Sequence, residues 1–443
     1  MFYLSVRHRR RVLVADLIST SVFPLAITGS TAVVPAATAD LRGADALGPW
    51  IVVGYNGLFA AALLLAGVLA DRTSRTKFFA LGNIVVAVAG VLSALAPDLG
   101  TLVALRVLAG VGAAMCAAGG SAMVLAVYPP EDRHRVYGYV GAVLGTSLAL
   151  GPFAAQGLMA VGGWPLVFVV PAAVAGIAVL ATIGLPSLRS TELPKEFDLA
   201  GAVIFGFTIA AAVTAFGFAL PVWATVGLLL SAAGGFTVLV RVERRTADPA
   251  IPLDLLRIPA YRAYALGTGA FMGVLVVGLT VLPQLGAHLG AGQVGLLLSL
   301  LTIPSTLLPL VASRIARRWA APLVTTALVV CAAAAFALQL TDAPLALFIG
   351  AGVFGVCLGL TEGVPDGQAL KHVPAHRGGA GAALFSTTRM TVETLTLAAA
   401  TGAATLLTPT AALLVPAAVC LLSVATLHHA SRPSPNPTPQ PST

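Results

Sequence analysis

Apolar stretches of about 20 residues follow one another along almost the entire chain, and this pattern constrains the fold more than any other feature of the sequence. We count fourteen of them, separated by short polar breaks. They lie near residues 12–36, 50–70, 78–96, 101–127, 137–160, 164–185, 199–218, 221–240, 261–286, 291–313, 321–340, 343–363, 380–407 and 410–428. Only 9% of the 443 residues are charged, whereas soluble domains have about a quarter. The sequence therefore predicts an all-α polytopic membrane protein of fourteen spans, with the lipid bilayer as its solvent.

The lysine and arginine residues concentrate in alternate breaks between the spans. If the N-terminus is cytoplasmic, all but three of the 25 fall in segments on the cytoplasmic side. The exceptions are Arg42, Arg106 and Arg389. Because cytoplasmic loops carry an excess of lysine and arginine, both termini are predicted to be cytoplasmic in a multi-pass protein of the plasma membrane. The formal net charge of +8 then follows from topology, and no nucleic acid partner is predicted.

Two polar loops recur in the second part of the chain at nearly the same offset. The recurring pairs are Arg72 and Arg75 with Arg314 and Arg317, and Pro130 and Arg133 with Pro374 and Arg377. This repetition predicts two pseudo-symmetric six-helix halves, 1–185 and 261–428. Residues 186–260 are then a linker with two extra central spans. The proline-rich residues 429–443 are predicted to be a disordered cytoplasmic tail.

A charged turn at residues 67–77 separates the second span from the third. It resembles the loop G-x-L-A-D-R-x-G-R-K of the major facilitator superfamily, with Ser74 in place of the second glycine. Residues 106–112 resemble the family's fourth-span motif R-x-x-x-G-x-G, and residues 145–157 resemble its fifth-span antiporter motif. With an extra central pair of spans, the chain looks most like the fourteen-span drug:proton antiporters of this superfamily.

The resemblance implies a set of residues that switch the transporter between conformations. They are Gly67, Asp71, Arg72, Arg75, Lys77, Gly145, Gly151 and Pro152. Two interpretations of Asp71 remain open: it latches the cytoplasmic side against a helix N-terminus of the other half, or it lies in a solvated loop with basic anchors. Pro152 is predicted to kink the fifth span. The family often has an acidic residue in the first span, at the position that aligns with Ala26 here.

Ionisable residues inside the spans are the main functional signal. Each costs roughly 2.5–3.5 kcal/mol at a helix centre on insertion scales, so those that persist usually have a function. The candidates for proton coupling are Asp16, Arg106, Glu362, Arg389 and Glu393. Arg389 and Glu393 are four residues apart, so they share one helix face and can pair. Either Glu362 or Glu393 is the predicted proton carrier, whereas Asp16 is expected near the membrane edge. For each, a structural ion pair or a packing role is the open alternative.

A few uncharged polar residues are predicted to reach the substrate cavity. They are Tyr55, Asn56, Asn83, Gln156 and Gln284. The remaining span residues are mostly Ala, Val, Leu and Gly, so the cavity suits a lipophilic or amphipathic small molecule better than a sugar.

These features predict a secondary transporter that exports a lipophilic small molecule in exchange for protons. The proton gradient is the energy source and no cofactor is expected, because no P-loop motif occurs. Export of a lipid or of an endogenous product is the first alternative, and a non-transporting membrane sensor is the second. A membrane enzyme is disfavoured, because neither H-E-x-x-H nor G-x-S-x-G is found.

Overall fold

The computed structural model describes residues 6–189, 199–217, 220–244, 253–286, 288–340, 343–373 and 378–430. These residues are almost entirely helical. The helices are α1 (Val6–Asp40), α2 (Trp50–Arg72), α3 (Arg75–Ala94), α4 (Leu99–Val127), α5 (Pro130–Thr182), α6 (Leu199–Gly217), α7 (Val222–Glu243), α8 (Pro259–Leu285), α9 (Ala291–Leu307), α10 (Pro309–Ala337), α11 (Pro344–Thr361), α12 (Val364–Leu370), α13 (Gly378–Leu406) and α14 (Leu414–Ala430). The proline-rich tail lies outside the described residues.

Each predicted apolar stretch falls on one of these helices, but the span count of fourteen is not confirmed. Eleven segments of the described chain are long and apolar enough to cross a membrane. Two predicted spans merge in the 53-residue helix α5, which breaks at Gly162 and Gly163, where Gly163 has φ +70°. α9 has only 17 residues, and α13 is not among the eleven.

Helices from the two predicted halves pack mainly within their own half. In the first half α1 packs on α5, and α4 packs on both α2 and α3. In the second half α8 packs on α13 and α14, and α11 packs on α9 and α10. The halves meet where α2 contacts α13 and where α5 contacts α9. Of the central pair, α6 packs on α7 and also on α2 and α13, so it lies beside the contact between α2 and α13.

Small residues allow the backbones of neighbouring helices to approach closely. A Cβ at Gly110 of α4 would overlap the carbonyl of Tyr55 in α2, and a Cβ at Gly151 of α5 would overlap the Thr28 side chain of α1. In lipid, where helices gain little from mutual hydrophobic burial, such close packing supplies much of the attraction between them.

Loop contacts define the two faces of the helical body. At one face, here called the basic face, the Arg75 N–H donates to the Leu188 carbonyl at 2.8 Å, and Arg11 donates to the Ala181 carbonyl at 3.5 Å. At the opposite face, here called the outer face, the Leu99 N–H donates to the Arg42 carbonyl at 3.0 Å. The α4 helix begins at this outer face with Asp98 as its N-cap. Hydrogen bonds from Thr101 lower the pKa of the exposed Asp98 carboxyl.

Candidate functional site

A break between α11 and α12 places Glu362 at the junction of two helical segments. α11 ends at Thr361, and the next glycine, Gly363, has φ +74°, which favours glycine over residues with a Cβ. Pro365, in the first turn of α12, has no backbone N–H to continue an α-helix from α11. The chain therefore changes direction at Glu362 instead of carrying it along a continuous helix.

Glycine packing between α8 and α13 fixes the position of Glu393. A Cβ at Gly273 of α8 would lie 2.8 Å from Thr396 Cγ2, and a Cβ at Gly269 would lie 2.8 Å from Val392 Cγ1. These two contacts lie one turn apart on both helices, so α8 and α13 run side by side in the same direction. Glu393, between Val392 and Thr396, is only 6% exposed as a result.

Three carboxylates interact with the single guanidinium of Arg389, and we call these four residues the Arg389 cluster. Glu362, Asp366 and Glu393 each interact electrostatically with Arg389. Glu362 also interacts with the like charges of Asp366 and Glu393. Thr268 of α8 donates a hydrogen bond of 3.3 Å to Asp366 Oδ1. The Arg389 Nε is buried and has no hydrogen-bond partner in the described part of the chain.

The members of this cluster differ in their access to solvent. Glu393 is buried, Asp366 is half-buried, and Glu362 is exposed. If all three carboxylates are ionised, one guanidinium leaves two negative charges unbalanced. Enclosing that arrangement is unfavourable, and protonation of a carboxylate relieves it. The cluster is therefore suited to take up protons before it is enclosed and to release them when it is opened.

Arg106 lies inside the first half, where it is 3% exposed. Its Nε donates to the Ile51 carbonyl at 3.3 Å, and its Nη2 donates to the Ala26 carbonyl at 3.4 Å. Its guanidinium carbon lies 4.4 Å from the ring centroid of Tyr55 and 5.2 Å from that of Phe168. Arg106 thus joins α4 to α1 and α2, and its neighbours are carbonyls and aromatic rings.

Asp16 is buried within the first half, although the sequence suggests that it lies near the membrane edge. It is 6% exposed, and a Cβ at Gly120 of α4 would overlap its Oδ1. Cys116 of α4 interacts electrostatically with Asp16 and forms a hydrogen bond with Ser19. The glycine of α4 lets the Asp16 carboxylate enter the interface between the two helices. Its position near the membrane edge stays a prediction.

The structure does not bring the uncharged cavity candidates together in one place among the residues it describes. Tyr55 is with Arg106, and its hydroxyl and the Nδ2 of Asn56 are buried without a hydrogen-bond partner. Asn83 accepts a hydrogen bond of 2.9 Å from Ser19 within the first half. Gln156 is half-buried on α5. Gln284 lies near the outer face, in a pocket between α8 and α13.

The charged turn at residues 67–77 is tied to the segment that follows α5. Ser74 is buried and caps α3 by accepting from the Lys77 N–H at 3.3 Å, and its Oγ accepts a hydrogen bond of 2.8 Å from Ser187. Thr76 donates to the Pro186 carbonyl at 2.8 Å. The serine that replaces the family's glycine therefore cross-links two loops of the same half.

Replacing Ser74 with Ala is expected to lower the free energy of unfolding by about 1 kcal/mol, the usual cost of losing an N-cap. Ser187→Ala is the matched control, since it removes the bond between the loops but leaves the cap of α3 intact. Thermal unfolding of the purified variants in detergent measures both. A Ser74→Ala melting temperature equal to that of the unchanged protein would contradict the capping role.

The other switch residues are placed as follows. Gly67 has open space around it, and Arg72 and Lys77 are exposed. Gly145, Gly151 and Pro152 lie in α5, where Gly151 and Pro152 are buried. The side chain of Asp71 lies outside the described residues, so its latch remains a prediction.

Sequence reasoning did not identify Asp366 as a site residue or the break beside Glu362. The contact of Asp366 with Thr268 of α8 joins residues far apart in the chain. The signal that locates the break is the pair Gly363 and Pro365 within an apolar stretch, since both residues disfavour a continuous helix.

The comparisons with known proteins agree on one family. The model of the Major Facilitator Superfamily matches residues 17–392. The puromycin resistance protein pur8 of Streptomyces alboniger is 34% identical over 256 residues, which are 57% of this chain and 48% of that protein. The probable actinorhodin transporter of Streptomyces coelicolor is 32% identical over 276 residues, 58% of this chain and 46% of that protein. The chain thus matches about half the length of these relatives.

A solved structure supports the same fold. The crystal structure of a POT family transporter in complex with 5-aminolevulinic acid aligns with a TM-score of 0.73 at 12% sequence identity, and the alignment covers 96% of both chains. At this identity the likeness concerns the fold alone.

Proposed function

Since this chain belongs to the major facilitator superfamily, and is a transporter and not an enzyme, we propose that it exports a lipophilic or amphipathic small molecule in exchange for protons by alternating access. The observation that carries the proposal is the Arg389 cluster, in which three carboxylates share one guanidinium within the second half. Such a group binds and releases protons according to whether it is enclosed.

Each half-cycle couples a change in charge to a change in access. When the cluster is open to the side of high proton concentration, carboxylates of the cluster are protonated. The halves then close over a cluster whose net charge is near zero. When the cluster opens to the other side, a carboxylate loses its proton and Arg389 becomes its partner. A ligand that enters the cavity between the halves is carried the opposite way, because its binding favours the same rearrangement.

Orientation follows from the distribution of basic residues. We infer that the basic face is cytoplasmic, that both termini lie there, and that the protein spans the plasma membrane several times. The outer face then meets the higher proton concentration. One proton that crosses a potential of 100 mV supplies about 2.3 kcal/mol, before any pH gradient is counted.

The aromatic side chains near the middle of α1 and α2 suit an aromatic or amphipathic ligand. Phe23 contacts Tyr55 at 6.2 Å and Phe59 at 4.7 Å between ring centroids, so several rings gather near the middle of α1 and α2. Relatives named for puromycin resistance and for actinorhodin transport support an organic small molecule as the solute. The second relative also supports a second candidate, export of a compound that the cell itself makes.

Expression in cells that lack major efflux pumps tests this proposal directly. We expect tolerance to at least one lipophilic dye or antibiotic to rise several-fold and the compound's accumulation to fall, with both effects lost when a protonophore collapses the gradient. The Glu393→Gln variant, expressed at the same level, is the control. If a broad panel shows no change, and reconstituted protein moves no compound under an imposed pH gradient, the proposed function is wrong.

A further inference from the structure

A small pocket lies between α8 and α13 near the outer face, and we call it the outer pocket. Its volume is about 80 Å³. Thr280 and Gln284 of α8 and Thr401 and Thr405 of α13 line it, together with Pro49, which precedes α2 in the first half. Thr280 and Thr401 are buried, whereas Thr405 is exposed, so the pocket extends inward from the surface. Hydroxyl and amide groups around a space of this size can hold a few water molecules.

The outer pocket and the Arg389 cluster lie on the same two helices. On α13, residues Glu393, Leu397 and Thr401 follow one another at intervals of four, so each is the neighbour of the next along one side of the helix. With a rise of about 1.5 Å per residue, Thr401 lies about 12 Å from Glu393 along the helix. On α8, Thr268 contacts Asp366 of the cluster, and Thr280 lies three turns further toward the outer face.

Along α8 and α13, apolar residues lie between the outer pocket and the Arg389 cluster. Leu397 occupies the position between Glu393 and Thr401, and it is 1% exposed. On α8 the residue one turn below Thr280 is Val276, which is 3% exposed. Both belong to the hydrophobic core of the protein. Along their own helices, Leu397 and Val276 thus lie between residues that line the outer pocket and residues that belong to or contact the Arg389 cluster.

We propose that the outer pocket is the entry through which protons reach Glu393 from the outer face, and that Leu397 and Val276 form the apolar plug that closes this route in the present conformation. The inference rests on the proposed function, because it takes Glu393 as a proton acceptor. Hydrated hydroxyl groups can pass a proton along hydrogen bonds, whereas an aliphatic layer cannot. A shift of α13 against α8 that moves Leu397 aside would join the water of the pocket to the cluster.

The charged groups around Glu393 determine which carboxylate receives a proton that enters by this route. Arg389 lies one turn away on α13, Glu362 approaches from the end of α11, and Asp366 from α12. A proton that arrives through the pocket meets Glu393 first, because Glu393 is the member of the cluster on the face that continues to Leu397 and Thr401. Glu362, which keeps exposed surface, is then the member that exchanges protons with the cavity.

Leu397→Asn replaces the plug with a polar side chain and is expected to open a leak. In proteoliposomes with a pH-sensitive dye inside and the potential clamped, proton entry without any substrate should rise about tenfold over that of the unchanged protein. Adding Glu393→Gln to Leu397→Asn should return the leak to background. Leu406→Asn is the matched control, since Leu406 lies on the same helix and is 69% exposed.

A leak that is no faster in Leu397→Asn than in the unchanged protein would overturn the plug. A leak that persists in the double variant would show a route that does not use Glu393, and would overturn the proposal as well. Because this assay needs no substrate, it is readable even if the unchanged protein moves no compound under a pH gradient, which is the result that would reject the proposed function instead.

A milder variant keeps the test decisive if Leu397→Asn does not fold. Thr401→Val removes one hydroxyl of the outer pocket and nearly preserves its shape. We expect export driven by a pH gradient to slow several-fold, with substrate–substrate exchange unchanged because exchange needs no net proton entry. Unchanged proton-driven export in Thr401→Val combined with Gln284→Leu would overturn the pocket as the entry.

Discussion

Glu393→Gln is expected to abolish uphill, proton-driven export and to leave the protein inserted and folded. Glutamine has nearly the same shape as glutamate but cannot exchange a proton, so the buried position 393 becomes permanently neutral. At a potential of 100 mV, one coupled proton supports an accumulation ratio of about fifty-fold. In the variant this ratio should fall to about one in proteoliposomes with an imposed gradient, as measured by the distribution of a transported dye.

Two companion measurements separate loss of coupling from loss of binding. Exchange of labelled for unlabelled substrate in the absence of a gradient should persist in Glu393→Gln, because it needs the rocking motion but no net proton movement. Glu362→Gln is the matched comparison, since Glu362 belongs to the same cluster but keeps exposed surface. If both single variants concentrate substrate as well as the unchanged protein does, neither carboxylate is the carrier.

Gly359→Ala is expected to destabilise the second half by about 1–3 kcal/mol, the usual cost of overpacking a close-packed interface. A Cβ at Gly359 of α11 would overlap the Pro304 carbonyl of α9 and would lie 2.9 Å from the Leu308 Cβ. Because the first obstacle is backbone, a side-chain rotation cannot relieve it. The melting temperature in detergent and the yield of monodisperse protein should both fall.

Gly352→Ala supplies the control for that experiment within the same helix. A Cβ at Gly352 would meet nothing within 4 Å, so the substitution adds a methyl group without a clash. Its melting temperature should equal or slightly exceed that of the unchanged protein, because alanine favours a helix over glycine. Equal behaviour of the two variants would mean that α9 and α11 do not approach each other as described.

The helices and much of the cluster were predictable because they depend on local sequence. Apolar stretches determine where helices form in a membrane protein, and a spacing of four residues places Arg389 and Glu393 on one face. Neither inference requires knowledge of a neighbouring helix. The gap between the fifth and sixth apolar stretches of the sequence coincides with the break of α5 at Gly162 and Gly163.

The remaining features depend on contacts between distant parts of the chain. Asp16 is buried because Gly120, more than a hundred residues away, makes space for its carboxylate. Asp366 joins the cluster because α12 lies against α8, where Thr268 donates to it. The hydrophobicity of a single stretch contains no information on which residue of another helix it will meet. A stretch whose average hydrophobicity is high can therefore contain a buried acidic residue.

The position of α6 has a mechanical consequence. Trp50 at the start of α2 donates a hydrogen bond of 3.1 Å from its indole nitrogen to the Gly217 carbonyl at the end of α6, which fastens α6 to the first half. On its other side α6 lies against α13, where a Cβ at Gly402 would overlap the Phe216 carbonyl. If the two halves tilt as proposed, α6 must slide along at least one of them, because it packs against both.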